Sequence, residues 1–282
     1  MNIQFEHLLK TSFLLWFDHE LLEQGSAYTN HNSLFYDVAE SYSDKHTYGA
    51  PFKNLVADSS IAGATVMSSV FVNSVETTTG NSDFFDINYE DGQVLFDAAQ
   101  TVELSGSYAV KDFSVQLTDQ DEEVLLFETK FDITPMVDQT VTGLAPDAIT
   151  YPAVFIRGDG GQNEPIGFGG IDSTVTYLRA IVFADSEFKR DGVISIFKDT
   201  KRKHIGILSE SENPFNYYGG LTDGTYNYCN LVSGKTGSSL AYIQEVFVSR
   251  ITNLPERLTK VNPEIFPVFL DFELHVHRQP HA

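Results

Sequence analysis

Near the end of the chain two histidines, His275 and His277, stand two residues apart, with Glu273 before them and His281 after. In an extended strand this spacing puts side chains 273, 275 and 277 on one face, with neighbours roughly 7 Å apart, a gap that a metal ion spans. The solvent face of a strand is an equally ready home for them. No Cys/His pair has structural-zinc spacing, so no metal and no cofactor is expected. Asp159 and Glu164 form a carboxylate pair for acid–base work inside a glycine-rich run, GDGGQNEPIGFGG, from Gly158 to Gly170. Carboxylates are so frequent here that one pair carries little information. The run lacks the GK[ST] ending of a phosphate loop and reads as a structural loop. There is no nucleophile elbow, HExxH or Walker lysine. Tyr217, Tyr218, Tyr226 and Tyr228 could stack on sugar rings. Cys229, the single cysteine, permits no internal disulfide and reads as a small packed residue. No catalytic residue is assigned, and the chain is expected not to be an enzyme.

The elements that would position these residues follow from periodicity. Residues 3–24 place Leu9, Phe13, Trp16, Phe17 and Leu21 at helical spacing, and Gln24-Gly25 closes the helix. The apolar surface is wide. Phe13, Trp16 and Phe17 either enter the core or meet another subunit. Residues 26–60 read as an irregular loop in which Tyr28, Tyr36 and Tyr42 could anchor on a neighbour. Val66–Val75 reads as a strand.

The stretch Phe84–Phe131 organises the first half. Phe85, Ile87 and Tyr89 alternate on one face, Asp91-Gly92 supplies a two-residue hairpin turn, and Val94–Phe96 return. Alternation continues from Tyr108 to Leu117. Thr118 then caps a helix from Asp119 to Lys130. Prolines 135, 145 and 152 mark a boundary near residue 136. Residues 1–135 would form a helix-plus-hairpin subdomain and residues 136–282 an α+β subdomain.

The second half reads as a strand Ala153–Arg157, a central strand Val175–Ala184 and a Ser186-capped helix Glu187–Lys198. Strands His204–Leu208, Ala241–Ile251 and Ile265–Arg278 follow. In the last, Val268, Leu270, Phe272, Leu274 and Val276 share the apolar face. The basic run Lys198–His204, with Lys201, Arg202 and Lys203, is either a solvated helix end or a contact with an acidic patch of a neighbouring copy. The fold class expected is α+β: mainly antiparallel sheet, an N-terminal helix and a few short packed helices.

Composition limits the partners. Of 282 residues, 42% are hydrophobic and 13% aromatic, enough for a large core and against global disorder. Against 39 acids stand 18 bases, a formal net charge of −21. This argues against a free-standing nucleic-acid binder and against docking on anionic lipid. Residues 1–24 lack signal-peptide organisation, because Glu6, His7, Asp18 and Glu20 crowd the short apolar run.

Three tracts, DINYEDGQVLFD, SGSYAVKDFSVQLTDQDEEVLLFETKF and VFLDFELHVHRQ, together resemble virion proteins of tailed bacteriophages. The resemblance is to the head-to-tail neck or tail-completion group: connector, stopper or tail terminator. It implies a non-enzymatic structural subunit with antiparallel sheet and packed helices. It further implies a homo-oligomeric ring around the DNA channel, touching neighbouring neck or tail proteins, and assembled into the virion in the host cytoplasm. DNA would pass nearby without specific binding, and like charge along the channel would keep it from sticking. The alternative is a glycan- or receptor-binding virion protein with aromatic-rich loops.

Overall fold

The computed structural model describes residues 5–38, 44–79, 83–122, 124–125, 150–166, 171–215, 221, 224–250 and 265–278. The chain opens with helix α1, Phe5–Glu23. Seven strands of a first sheet follow: β1 Tyr28–Asp37, β2 His46–Gly49, β3 Ser69–Val72, β4 Val75–Thr78, β5 Phe84–Asn88, β6 Gln93–Phe96 and β7 Leu104–Lys111. Their order is β4-β3-β7-β1-β2-β6-β5. A second sheet takes β8 Ser114–Leu117, β9 Ala153–Pro165, β10 Asp172–Ala184, β11 His204–Gly206, β12 Leu240–Arg250 and β13 Phe266–Arg278. Its order is β11-β12-β13-β10-β9-β8. Helix α2, Glu187–Lys198, follows β10, and a short helix α3, Tyr228–Val232, precedes β12. The α+β class therefore holds at the level of mainly antiparallel sheet with a few helices, although the sheets are barrel-like rather than plain.

Helix α1 forms because its apolar residues recur at intervals of three and four, and the chain leaves it at Gln24-Gly25. It lies on the second sheet. Phe13 meets Phe272 of β13 with ring centroids 4.9 Å apart. Phe17 stacks on Phe197 of α2 at 3.7 Å, and Trp16 meets the same ring at 5.5 Å. Each such aromatic pair adds about 0.5–1.5 kcal/mol to the area it buries. The buried cluster continues without a break from α1 and β13 into Val94, Phe96 and Tyr108 of the first sheet. The boundary expected near residue 136 falls outside the described residues. Helix α1 and strand β8, both N-terminal to it, pack and pair with strands C-terminal to it.

Several expectations are corrected. Residues 26–60 hold two strands, not an irregular loop. The inward face of β1 is His31, Ser33 and Phe35, so the period-two signal is not apolar. His31 stacks on Phe52 at 4.0 Å, and Ser33 Oγ shares a 2.6 Å hydrogen bond with the Tyr108 hydroxyl. In place of one strand over 66–75, the chain makes the β3–β4 hairpin, Ser69–Val72 with Val75–Thr78. Val72 pairs with Val75, so Asn73 and Ser74 form a two-residue turn with φ of 49° and 65°.

The β5–β6 hairpin exists, but Asn88 pairs with Gln93, so its connection is the four residues 89–92 rather than Asp91-Gly92 alone. Gly92 is still needed: φ is 64°, and a Cβ there would lie 2.0 Å from the Phe52 carbonyl oxygen. A register shift between Phe84 and Asp86 turns Phe84 inward and leaves Phe85 exposed.

Tyr108–Leu117 is not one strand. Asp112 and Phe113 break it, because the Asp112 amide donates to Ala27 O and the chain then crosses to the second sheet beside β9. The run Gly158–Pro165 continues β9 as strand, whereas residues 167–170 lie outside the described residues. Of the helix expected over Asp119–Lys130, helical backbone is described at Glu122, Val124 and Leu125. The β10, α2, β12 and β13 elements stand where expected, with Ser186 capping α2 and Leu270, Phe272 and Leu274 buried, although α2 turns Val193, Ile194 and Phe197 inward and leaves Phe188 exposed.

Candidate functional site

Where α1 meets the first sheet and the segment leading into α3, a buried polar cluster assembles. Asp18 and His19 sit on the inner side of α1, among its aromatic residues. His19 Nδ1 lies 2.8 Å from Asp58 Oδ2, and both side chains are buried. Asp58 Oδ1 accepts from the Ser60 amide at 2.9 Å, the Ser60 hydroxyl at 2.6 Å and the Tyr228 amide at 3.1 Å. Burial works against charge on Asp58, but the bonds from His19, Ser60 and the Tyr228 amide more than offset it and hold the carboxyl below its usual range. An ionised Asp58 makes His19 Nδ1 the proton donor and fixes the ring's orientation. The imidazole also stacks on Tyr228 at 4.4 Å.

Beside this pair, Asp18 Oδ1 takes a 2.6 Å ion pair from Lys111 at the end of β7. Tyr226 is enclosed next to Asp18 and Asp58. Burial, reinforced by these two carboxylates, pushes its phenol well above the ordinary range. Its backbone clamps the same place, because Ser59 N donates to Tyr226 O and Tyr226 N to Ala57 O.

A histidine oriented by a carboxylate is half of a general-base pair. Here the serine hydroxyls of the cluster are engaged away from His19, Ser60 with Asp58 and Ser59 with Tyr226 O, and the imidazole face is covered by Tyr228. The arrangement ties three chain segments together rather than presenting a reactive group. The sequence carries a signal for it: two adjacent polar residues, Asp18 and His19, interrupt the widest apolar stripe of the chain.

A second polar array covers the outward face of the second sheet. Arg179 on β10 holds Asp271 of β13 through Nε–Oδ1 at 2.6 Å and Nη2–Oδ2 at 3.3 Å, and reaches Glu122 and Asp159. Arg157 on β9 pairs with Asp121 at 2.8 Å and Asp159 at 3.6 Å. The hydrogen bond to Asp271 leads the causes that raise the Arg179 pKa. Asp159 is thus spent on two arginines, and Glu164 accepts from Gln162. His275 bonds its own strand's Glu273 at 2.7 Å. Among the described residues no group of three or more His, Cys, Asp or Glu side chains is placed to hold a metal, and His281 lies outside them.

The expected contact residues separate. Phe13, Trp16 and Phe17 are buried in the chain's own core, which corrects the idea that they meet a neighbour: their rings have no surface left to offer. Tyr28 is half-buried with its hydroxyl on Ala62 O at 3.1 Å. Tyr36 is exposed, and Tyr42 lies outside the described residues. Lys201 pairs with Glu245 at 2.6 Å and Lys203 with Glu20 at 3.3 Å, so both carry in-chain partners. Arg202 takes φ of 69° in the turn between them. Of the tyrosines suited to sugar stacking, Tyr226 and Tyr228 are buried, while Tyr217 and Tyr218 lie outside the described residues. Cys229 is exposed, not packed. No described helix is long and apolar enough to cross a membrane. No protein-family model matches the chain, and no curated protein matches it in sequence.

Proposed function

We propose that the chain is a non-enzymatic structural subunit of a tailed-phage virion. It joins copies of itself into a ring at the neck or tail end, against neighbouring neck or tail proteins. One observation carries the self-association: among the described residues the first sheet ends in two short, unlike edge strands, each exposing a large apolar side chain. On β4 Val75 is 66% exposed, and on β5 Phe85 is 49% exposed with Lys45 over its ring at 4.5 Å. Free strand edges pair readily with another chain. Joining the β4 edge of one copy to the β5 edge of the next is a head-to-tail contact, which closes into a ring if the rotation permits. The acidic balance suits a lumen through which DNA passes without binding. Native mass spectrometry and electron microscopy of the purified protein, with immunogold labelling of virions, test it. A ring that labels at the neck or tail end is expected, and Val75→Lys with Phe85→Lys should release monomers. A monomer at high concentration and unlabelled virions would refute it.

A further inference from the structure

The outward face of the first sheet differs chemically from the rest of the molecule. In one row across β4, β3, β7 and β1, Glu76, Phe71, Ser105 and Leu34 lie side by side. In the next row Ser107 lies beside Asn32, and Tyr36 extends the β1 column opposite Gly49. Phe71 is 37% exposed, Leu34 37% and Tyr36 50%. Phe71 stands between the small Ser105 and Glu76, and Tyr36 faces Gly49, beside which Val38 lies, so both rings stay partly exposed. Two strand spacings separate Phe71 from Leu34, roughly 10 Å, so the two form walls over a floor of serine hydroxyls.

The polar groups on this face divide into used and unused. Asn30 is spent on Gly63 O and the Thr65 amide, and Ser69 donates to Glu76 at 2.8 Å. Asn32, Ser105, Ser107 and the Tyr36 hydroxyl have no side-chain partner among the described residues. Glu76 is the single carboxylate in these rows, in a chain of net charge −21 whose other sheet is laced with ion pairs.

We propose that this face is a platform for a neutral polysaccharide. A pyranose ring has one face of C–H groups and a rim of hydroxyls. Successive sugars of the polymer would rest their C–H faces on Phe71 and on Tyr36, and the rim of the sugar beside Phe71 would meet the hydroxyls of Ser105 and Ser107 and the amide of Asn32. Anionic polymers are repelled by the acidic chain. A second copy of the chain is a poorer occupant, because three partly exposed apolar side chains fall far short of the roughly 800 Å² per partner of a stable interface. The platform centres on β3, β7 and β1 and meets the ring contact only at β4, where Glu76 lies next to Val75.

Affinity electrophoresis through gels holding dextran, mannan or hydroxyethylcellulose, with alginate as the anionic comparison, tests the platform. At least one neutral polymer should retard the protein and alginate should not. Tyr36→Ala/Phe71→Ala should weaken that retardation about tenfold by removing the stacking anchors, with Trp16 fluorescence unchanged as a check on folding. Phe247→Ala, on the second sheet, should leave retardation intact. The proposal fails if none of the three polymers retards the protein, if alginate retards it equally, or if the double variant migrates as the wild type does. It also fails if the wild type is a dimer that the double variant dissolves, since a second copy then covers the face.

Discussion

At the scale of single residues, Asp58 is the group on which most depends. It is fully buried and accepts from His19, Ser60 and the Tyr228 amide. Removing this acceptor leaves buried donors from His19, Ser60 and the Tyr228 amide without their partner, at about 1–3 kcal/mol for a group left unsatisfied. Asp58→Ala is therefore expected to lower stability by about that amount in urea titrations at pH 7. The folded-state pKa of Asp58 is depressed. Its contribution is thus present above the unfolded value of about 3.9 and is lost as pH falls through the folded one. The stability gap between wild type and variant should narrow on acidification below about pH 4. A gap that persists unchanged at pH 2 would mean that Asp58 acts by shape alone. His19→Ala makes the complementary test, since it strands the carboxylate without a counterpart.

The two hairpins of the first sheet set opposite expectations at the scale of elements. Ser74 holds φ of 65° without being glycine, so Ser74→Gly should relieve strain and raise stability by up to about 1 kcal/mol. Gly92→Ala should do the reverse and cost about 2 kcal/mol or more, since a Cβ would meet the Phe52 carbonyl oxygen at 2.0 Å. Paired thermal melts that shift in the same direction would contradict these turn geometries. On β13 the two faces separate as alternation implied. Phe272→Ala opens the centre of the aromatic cluster and should cost about 3–5 kcal/mol. Asp271→Asn loosens the part-exposed pair with Arg179 and should cost about 1 kcal/mol or less. Equal losses would place the strand one residue out of register.

At the scale of the whole molecule, one apolar cluster runs through both sheets. Thermal unfolding should therefore be a single transition, with Trp16 emission and far-ultraviolet circular dichroism changing together. Two separated midpoints would show that the sheets melt independently. Charge decides the salt response of assembly. Lys201 and Lys203 already have partners within the chain, and each copy carries −21. Added salt should then screen repulsion between copies and favour the ring. Dissociation by moderate salt would instead indicate that oppositely charged patches hold the contact.

Periodicity alone located α1, α2, β10 and β13, because α1, α2 and β13 each bury an apolar face at the local spacing and β10 is apolar on both faces. Strand β12 was located too, although it buries only Ala241 and Ile243 before its ladder shifts. Where the inward face is not apolar, or the ladder shifts, sequence and structure part. Strand β1 turns His31, Ser33 and Phe35 inward, and the irregularity at Phe85 exchanges which phenylalanine is buried. The break at Asp112-Phe113 was invisible for a related reason: alternation on both sides matches, and only the partners differ, β1 and β3 before it and β9 after. The candidate sites belong to the same class. His19 and Asp58 are 39 residues apart, and Tyr228 is 170 from Asp58. No local pattern links residues at such separation. The chain's acidity, its lone cysteine and its strong helices and strands were legible in order along the sequence. The welded polar cluster, the burial of Phe13, Trp16 and Phe17 within one core, and the outward rows with Glu76 as their one carboxylate exist only once distant strands pair.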